Sequence, residues 1–324
     1  MAKAQFELTE VGDDALWDRL VATSPQGTVF SQSGFLRSLG CPFKRYLISD
    51  PQKPVALCCA VEDPSCEQLL AYDFTPYQGI LFLPDLFILP RQRVLDEFRI
   101  TEFVVTAFTE RYRTIAMSMS WLFTDLRPFL WHNYHQSDLG QFKVTPRYTG
   151  ILDLRNVDSA TLPAQTRACR RQELRKAAAY IVQEERDVDR FLALYALTFA
   201  RQDIVLPAST LALVCGITNA ALEQGYGRLT SCTTPQGVAS MTLFLFDRQR
   251  TYYLFAANDP DLRNTGAATR LMFENIFYAK EQGLVELDFV GVNSPNRGDF
   301  KLSFNPELKL YFDVRYEREV QTAT

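Results

Sequence analysis

The stretch TYYLFAANDPDLRNTGAATRLMFENIFYAKEQGLVELDFVGVNSPNRGDFKLSF, residues 251–304, decides the fold. Residues 252–257 are apolar and aromatic, which is typical of a strand. Residues 269–281 carry apolar side chains at roughly helical spacing, and Gly283 follows where such a helix would end. Residues 284–291 are again apolar and predict a second strand. A strand, a short turn, a helix and a strand together predict a βαβ-like unit.

The turn that precedes this helix is short and rich in small residues. A helix N-terminus has unpaired N–H groups and a partial positive charge, so it can hold a phosphate group. Small residues there let the backbone approach a diphosphate closely. The alternative, a helix start that happens to contain small residues, stays open. The candidate binding residues are Arg263, Thr265, Gly266, Ala267, Ala268 and Thr269.

The composition excludes several classes of protein. A chain of 324 residues fits two domains of about 150 residues. The net charge of −4 argues against broad nucleic-acid binding, which needs a basic face. The seven cysteines form no CxxC pair, and the two histidines have no Cys or carboxylate cluster arranged with them, so neither disulfides nor a metal site are predicted. Residues 1–10 do not predict a signal peptide and no apolar run reaches 18 residues, so a cytoplasmic protein without a membrane span is expected.

The two halves of the chain repeat one order of elements: helices, a strand hairpin, a strand, a helix and a strand. The repeat predicts two domains, residues 1–146 and 147–324, with a boundary near Pro146. Similarity between the halves is slight, so this prediction is topological. The residues before Val94, Leu-Pro-Arg-Gln-Arg, contain no small-residue turn. A single cofactor site, in the C-terminal domain, is therefore expected.

Five stretches, in their order and spacing, resemble the FemABX-like branch of the GNAT acyltransferase superfamily over nearly the whole chain. In particular, the turn Arg263-x-x-Gly266-x-Ala268 is similar to the loop that holds the diphosphate of coenzyme A in that superfamily. The resemblance implies an α/β (α+β) fold of two tandem GNAT-like domains, each a mixed, mostly antiparallel sheet flanked by helices. The five stretches are GTVFSQS (27–33), TPYQG (75–79), the basic segment 167–176, TGAA (265–268) with YAKEQG (278–283), and LDFVG (287–291) ahead of DFKLSF (299–304).

The resemblance implies an N-acyltransferase that uses a coenzyme A thioester as co-substrate. Its expected acceptor is the amine of a nucleotide-linked amino sugar or a similar cell-envelope precursor, attacked without a covalent enzyme intermediate. One alternative is transfer of an amino acid from aminoacyl-tRNA to a peptidoglycan precursor or a peptide. This is less favoured, because the charged helical hairpin common in such enzymes is not apparent. Another alternative is a non-catalytic scaffold that binds a precursor in polysaccharide synthesis.

Residues 162–180 predict a basic helix. Arg167, Arg171 and Arg175 recur every four residues and would lie along one side of it. Guanidinium groups bind phosphate bidentately. The resemblance implies that Arg171 and Arg175 clamp the diphosphate of the acceptor. The presence of Glu173 among them supports the alternative, a solvated helix face.

Three further residues are predicted to contact the substrate. Tyr77 lies in the TPYQG loop, Asp73 lies beside it, and Tyr148 is near the start of the second domain. Tyrosine hydroxyls can donate to a substrate, although most tyrosines are half-buried packing residues. Asp73 is also one of two candidate general bases.

The residues predicted to carry the chemistry lie in the stretch quoted first. Lys301 would alternate with Phe300 and Leu302 if this segment is extended, and a lysine there can stabilise a developing oxyanion. The resemblance places the matching lysine near the donor carbonyl; the alternative is a snorkelling surface lysine. A backbone N–H near Asn258 is a second candidate for holding the oxyanion.

Asp288 is the other candidate general base. It lies within an apolar strand, where burial would raise the pKa of its carboxyl and suit proton transfer. The alternative is a carboxylate satisfied by neighbouring backbone N–H groups.

Overall fold

The computed structural model describes residues 6–84, 92–201 and 203–318. The chain forms two compact units. Unit 1 comprises Met1–Arg37, Cys41–Arg147 and Leu310–Thr324, and unit 2 comprises Ser38–Gly40 and Tyr148–Lys309.

The elements are numbered in chain order. The strands are β1 Glu7–Glu10, β2 Phe43–Ser49, β3 Pro54–Val61, β4 Gln68–Leu69, β5 Ile80–Phe82, β6 Thr114–Ser118, β7 Lys143–Asp153, β8 Ile181–Glu185, β9 Gly227–Thr234, β10 Gly237–Phe246, β11 Arg250–Asn258, β12 Glu286–Asp288 and β13 Glu307–Glu317. The helices are α1 Asp14–Thr23, α2 Ser33–Ser38, α3 Arg93–Arg111, α4 Arg127–Trp131, α5 Thr161–Gln165, α6 Ala168–Lys176, α7 Val188–Ala200, α8 Ala208–Glu223, α9 Ala267–Glu281 and α10 Pro295–Leu302.

Unit 1 contains an antiparallel sheet with the strand order β1-β2-β3-β5. β3 is apolar and buried from its second residue to its last, as expected of a strand covered on both faces. Ile100, Val104 and Phe108 of α3 belong to the same core as residues of β3. Their spacing of four residues places them on one side of the helix.

The last strand of the chain returns to unit 1. Residues 313–317 of β13 pair antiparallel with residues 114–118 of β6. The sequence placed residues 310–324 in the second domain, and this pairing instead groups Leu310–Thr324 with the first. Pairing between strands so far apart in the chain has no local sequence signature.

Unit 2 is built on a sheet with the strand order β7-β12-β11-β10-β9-β8. Every pair in it is antiparallel except β11 and β12, which are parallel and are connected through α9. The βαβ-like unit predicted from residues 251–304 is therefore confirmed. A mixed, mostly antiparallel sheet with flanking helices also confirms the predicted α/β fold class.

The parallel pair opens after three residues. β11 pairs with β12 only from Arg250 to Tyr252, opposite residues 286–288. β11 then continues to Asn258 and pairs on its other side with β10. The strand predicted at 284–291 is therefore shorter than expected, and the chain after Asp288 leaves β11. We call this opening between β11 and the chain after Asp288 the splay.

Helix α9 lies between two glycines with left-handed backbone. Gly266 (φ 87°) precedes it and Gly283 (φ 79°) follows it, and residues other than glycine rarely adopt such angles. Its buried side contains Leu271, Phe273 and Ile276, in positions spaced two to three residues apart. This side packs into the core of unit 2 and so fixes where the helix begins.

Two local predictions are wrong. The basic helix predicted at 162–180 is two short helices, α5 and α6, because Thr166 and Arg167 between them are extended. The segment 299–304 is not extended: α10 begins at Pro295, which favours the first position of a helix. Phe300 and Phe304 lie four residues apart with ring centroids separated by 5.3 Å, so the aromatic spacing fits the helix.

Two further points concern the limits of the described chain. The absence of a cofactor turn in the first domain was predicted from the residues before α3. Part of this segment, residues 85–91, lies outside the described residues. Within the described part of the chain, no helix combines the length and apolarity needed to cross a membrane.

We expect Ile276→Ala to destabilise unit 2, because Ile276 is fully buried in its core. Removing such a side chain costs about 2–5 kcal/mol. Urea denaturation followed by circular dichroism measures the loss. The control is Val205→Ala, since Val205 is 91% exposed and its truncation should leave stability unchanged. A loss for Ile276→Ala no larger than that of the control would contradict the packing described.

Candidate active site

The six residues predicted to bind a diphosphate lie together at the start of α9. Gly266 and Ala267 are buried, whereas Arg263 is exposed. The Thr265 hydroxyl donates to the Leu262 carbonyl at 2.5 Å and tightens the turn. The geometry of a small-residue turn before a helix N-terminus is present, but its surroundings decide what it can bind.

Helix α6 covers this turn. A Cβ atom on Gly266 would lie 2.6 Å from the backbone oxygen of Glu173. The Thr269 hydroxyl donates to the Glu173 carboxylate and accepts from Arg170 at 3.0 Å. The Lys176 ammonium donates to the Asn264 carbonyl at 2.5 Å. The start of α9 thus faces a carboxylate and a carbonyl oxygen of the protein, and these negatively charged and polar oxygens disfavour a diphosphate at the turn in this structure.

The cations of α6 are mostly engaged within unit 2. Arg167 pairs with Asp299 at 2.5 Å, and the guanidinium of Arg170 lies 4.9 Å from the ring centroid of Phe300. Arg171 donates to the Thr166 carbonyl. Because Asp299 and Phe300 belong to α10, α6 lies against both α9 and α10. Of the diphosphate clamp predicted from Arg171 and Arg175, Arg175 is the more exposed, and its Nε donates to the Arg171 carbonyl at 3.4 Å.

Asp288 ends β12 at the splay and is fully buried. Its Oδ1 accepts from the Thr149 hydroxyl at 2.5 Å and from the Val290 N–H at 2.7 Å. Of the two interpretations open from the sequence, the bond from a neighbouring backbone N–H is present at one carboxylate oxygen, Oδ1. A base must reach the proton that it removes, so this burial does not support Asp288 as the general base.

Lys301 reaches the same place from α10. Its half-buried ammonium donates to the carbonyls of Val290 and Gly291, at 3.2 and 2.9 Å. It lies 5.5 Å from the ring centroid of Tyr253, the first β11 residue beyond the pairing with β12. Lys301 is thus a residue of the splay, and the expectation of a snorkelling surface lysine does not apply.

Burial lowers the pKa of Lys301 to about 8. Loss of hydration is the largest cause, and the positive charge of Arg297 acts in the same direction. The negative charge of Asp288 opposes both effects. The ammonium therefore begins to lose its proton not far above neutral pH.

Sequence reasoning missed three residues of this site: Thr149, Val290 and Gly291. Val290 has a φ of 51° and Gly291 a φ of 78°, so both adopt the left-handed backbone. The Gly291 N–H donates to the Thr149 hydroxyl at 3.0 Å. The glycine directly after the apolar strand was the available signal for this turn. No pattern in the sequence indicated that Thr149 lies beside it.

Asn258, predicted to supply an oxyanion-binding N–H, is engaged otherwise. Its backbone N–H donates to the Thr198 hydroxyl at 2.7 Å. Its side-chain oxygen accepts from the Ser240 hydroxyl at 2.8 Å. The N–H of Asn258 itself is thus engaged in this structure, and an oxyanion-binding N–H near Asn258 stays a prediction.

The remaining predicted substrate residues divide between the units. Tyr148, in unit 2, is partly exposed, and its backbone exchanges hydrogen bonds with the Asn293 side chain at 2.8 and 2.9 Å. Asp73 is exposed in unit 1. Tyr77 is fully buried in unit 1, with its ring centroid 4.9 Å from that of Trp121. A packing role fits Tyr77 better than the predicted substrate contact.

Part of the chain is similar to a known family. Residues 164–302 match the model of the acetyltransferase (GNAT) domain. The matched residues include the turn before α9, the splay and Lys301. No curated protein matches the sequence.

Three solved structures share the fold across nearly the whole chain. A crystal structure of FemX has a TM-score of 0.68 at 14% identity and covers 94% of this chain and 96% of that one. A tandem GNAT protein from the clavulanic acid biosynthesis pathway has a TM-score of 0.56 at 12% identity and covers 98% of this chain and 100% of that one. L-PGS from Bacillus licheniformis has a TM-score of 0.51 at 12% identity and covers 97% of this chain and 95% of that one. At these identities the likeness is one of fold. The predicted resemblance to FemABX-like tandem GNAT proteins is confirmed at that level, and the chain has a GNAT acyltransferase-like fold.

The contact between α6 and the turn before α9 can be tested with substitutions at two glycines. Gly266→Ala and Gly225→Ala both place a side chain at a positive φ, 87° and 74°, which costs about 1–2 kcal/mol. Only the Gly266 variant also meets a backbone oxygen, whereas no atom lies within 4 Å of a Cβ at Gly225. We expect Gly266→Ala to lose at least about 1 kcal/mol more in urea denaturation. Equal losses would show that α6 does not rest on the turn in solution.

The lowered pKa of Lys301 predicts a pH dependence of stability. Between pH 8 and the ordinary lysine pKa of 10.5, the unfolded chain still holds a proton that the folded site has released. The free energy of unfolding, relative to that of Lys301→Met, should therefore rise as the pH increases from 8 to 10. Parallel urea titrations of the two proteins measure this difference. A difference that stays constant across this range would contradict the lowered pKa.

Proposed function

We propose that this chain is a transferase that joins an activated acyl or aminoacyl group to an amine at the splay of its GNAT domain. The observation that carries the proposal is the position of Lys301. A partly desolvated ammonium lies where the parallel strands separate, next to a fully buried carboxylate. A cation fixed in such surroundings stabilises the negative charge that develops on a carbonyl oxygen during acyl transfer.

The proposed reaction is direct attack of a neutral amine on the donor carbonyl. The new C–N bond forms as negative charge develops on the carbonyl oxygen near Lys301. The C–S or C–O bond to the leaving group then breaks. The amine loses one proton to water, and the leaving thiolate or alkoxide gains one. Asp288 holds the site in place in this scheme and does not act as the base, because it is buried and its Oδ1 accepts two hydrogen bonds.

The donor has two candidates. A coenzyme A thioester, the preference from the sequence, would place its diphosphate at Gly266, where α6 lies in this structure. An aminoacyl ester of tRNA carries its activated carbonyl on a ribose and needs no diphosphate contact at that turn. The contact of α6 with the turn at Gly266 supports aminoacyl-tRNA as the donor class. The net charge of −4, however, gives the chain no broad basic face for tRNA.

The proposed acceptor is the amine of a nucleotide-linked cell-envelope precursor, such as an amino sugar or a peptidoglycan precursor peptide. Its support is the family resemblance together with Arg175, which stays exposed on α6 and can meet a phosphate. Compared with the prediction from sequence, this support is weaker, because the neighbouring arginines bind within unit 2.

Transfer assays with the full chain test the proposal and separate the donors. Thiol release is measured with a panel of acyl-CoAs, and transfer of a radiolabelled amino acid is measured with charged tRNA. Each donor is combined with nucleotide-linked amino sugars and peptidoglycan precursors. We expect product with one donor class. No turnover of either class, with the precursor still bound in calorimetry, would overturn the enzyme and favour the non-catalytic scaffold.

Lys301→Met should lower kcat about 100-fold or more, as expected when a group that stabilises an oxyanion is lost, with little change in KM. The matched control is Lys309→Met, because Lys309 is a lysine of the same unit whose ammonium pairs with Glu307. Its kcat should be unchanged. Full activity of Lys301→Met would remove the lysine from the proposed chemistry.

A further inference from the structure

The turn after β12 holds an unfavourable backbone conformation. Val290 is β-branched and has a φ of 51°, an angle that such residues seldom adopt. Gly291 follows with a φ of 78°. Conformations of this kind cost free energy and persist only where surrounding contacts hold them. The contacts that hold this turn are therefore informative.

Two hydrogen bonds from backbone N–H groups hold the turn after β12. The Val290 N–H donates to Asp288 Oδ1 at 2.7 Å, and the Gly291 N–H donates to Thr149 Oγ1 at 3.0 Å. The Thr149 hydroxyl in turn donates to Asp288 Oδ1 at 2.5 Å. The Thr149 hydroxyl therefore accepts from the Gly291 N–H and donates to the Asp288 carboxylate, which in turn accepts from the Val290 N–H. Thr149 and Asp288 are both fully buried, so water does not compete for these bonds.

The carbonyls of the same two turn residues hold Lys301. The lysine ammonium lies 3.2 Å from the Val290 oxygen and 2.9 Å from the Gly291 oxygen. An ammonium has three N–H donors, so these two bonds leave one for a substrate oxygen. The orientation of the turn thus sets where the third donor lies.

We infer that Thr149 is a positioning residue for Lys301: its hydroxyl joins Asp288 to the Gly291 amide and so orients the two carbonyls that hold the lysine. The inference rests on the proposed function for the consequence in catalysis, but not for the geometry. Thr149 comes from β7, Asp288 from β12 and Lys301 from α10, so this chain of hydrogen bonds, through the turn after β12, links three elements of unit 2.

The charged and titratable groups around Lys301 come from three elements. Asp288 of β12 raises the pKa of the lysine, Arg297 of α10 lowers it, and Tyr253 of β11 presents its ring to the ammonium. Burial lowers the pKa more than any of these charges. A lysine released from the two carbonyls would extend to water, regain hydration and titrate nearer to 10.5.

The experiment is an NMR titration of Lys301 in Thr149→Val and Thr149→Ser, followed through the Cε chemical shift of lysine labelled biosynthetically with carbon-13 and nitrogen-15 in the full chain, which leaves all three N–H donors in place, with Lys301→Arg used for assignment. Valine has nearly the shape of threonine without the hydroxyl, whereas serine keeps the hydroxyl. We expect Lys301 to titrate near pH 8 in the unchanged chain and in Thr149→Ser, and at least about one pH unit higher in Thr149→Val. An unchanged or lower midpoint in Thr149→Val would overturn the inference.

Thr218→Val is the control for a general loss of stability, because Thr218 is a fully buried threonine of α8 with its hydroxyl bonded to the Val214 carbonyl. It should leave the Lys301 titration unchanged; an equal shift in this variant would also overturn the inference. The titration needs no substrate, so its outcome is separate from the transfer assays. Where transfer is found, Thr149→Val should lower kcat at least about tenfold with little change in KM, and Thr149→Ser should restore it.

Discussion

The candidate active site depends on where β11 and β12 stop pairing. Three residues of parallel pairing hold the two strands together, and beyond Tyr252 and Asp288 their backbones separate. β11 stays in the sheet because β10 pairs with it as far as Asn258. The chain after Asp288 must instead satisfy its backbone groups by other contacts. The N–H groups of Phe289 and Val292 donate to backbone carbonyls of β7, and those of Val290 and Gly291 donate to two buried side chains, Asp288 and Thr149. These contacts form the turn that receives Lys301.

The second constraint is the N-terminus of α9. Its unpaired N–H groups and partial positive charge favour an anion, and unit 2 supplies one from its own chain through Glu173. Helix α6 has no buried residue, and polar and ionic contacts from Arg167, Arg170 and Lys176 hold it in place. The basic helix and the small-residue turn, two separate binding features in the sequence, are therefore bound to each other in the structure.

These two constraints affect the proposed chemistry differently. The splay brings a cation to a place from which a carbonyl can be polarised, and this does not depend on the nature of the leaving group. The contact between α6 and the turn concerns only how a donor is held. Transfer of an activated carboxyl group is thus the better supported part of the function, and the donor class is where the contact of α6 at Gly266 matters most.

The sequence by itself determined the order of the βαβ-like unit and the approximate position of α9, because periodicity and glycine placement are local properties, whereas the end of the second strand at Asp288 was not predicted. Only the tertiary structure decided what those residues contact. Glu173 and Thr269 are 96 residues apart, and Thr149 and Asp288 are 139 residues apart. Contacts over such separations leave no pattern in either segment. The same holds for Lys301, since its pKa depends on burial that α10 and the turn after β12 create together.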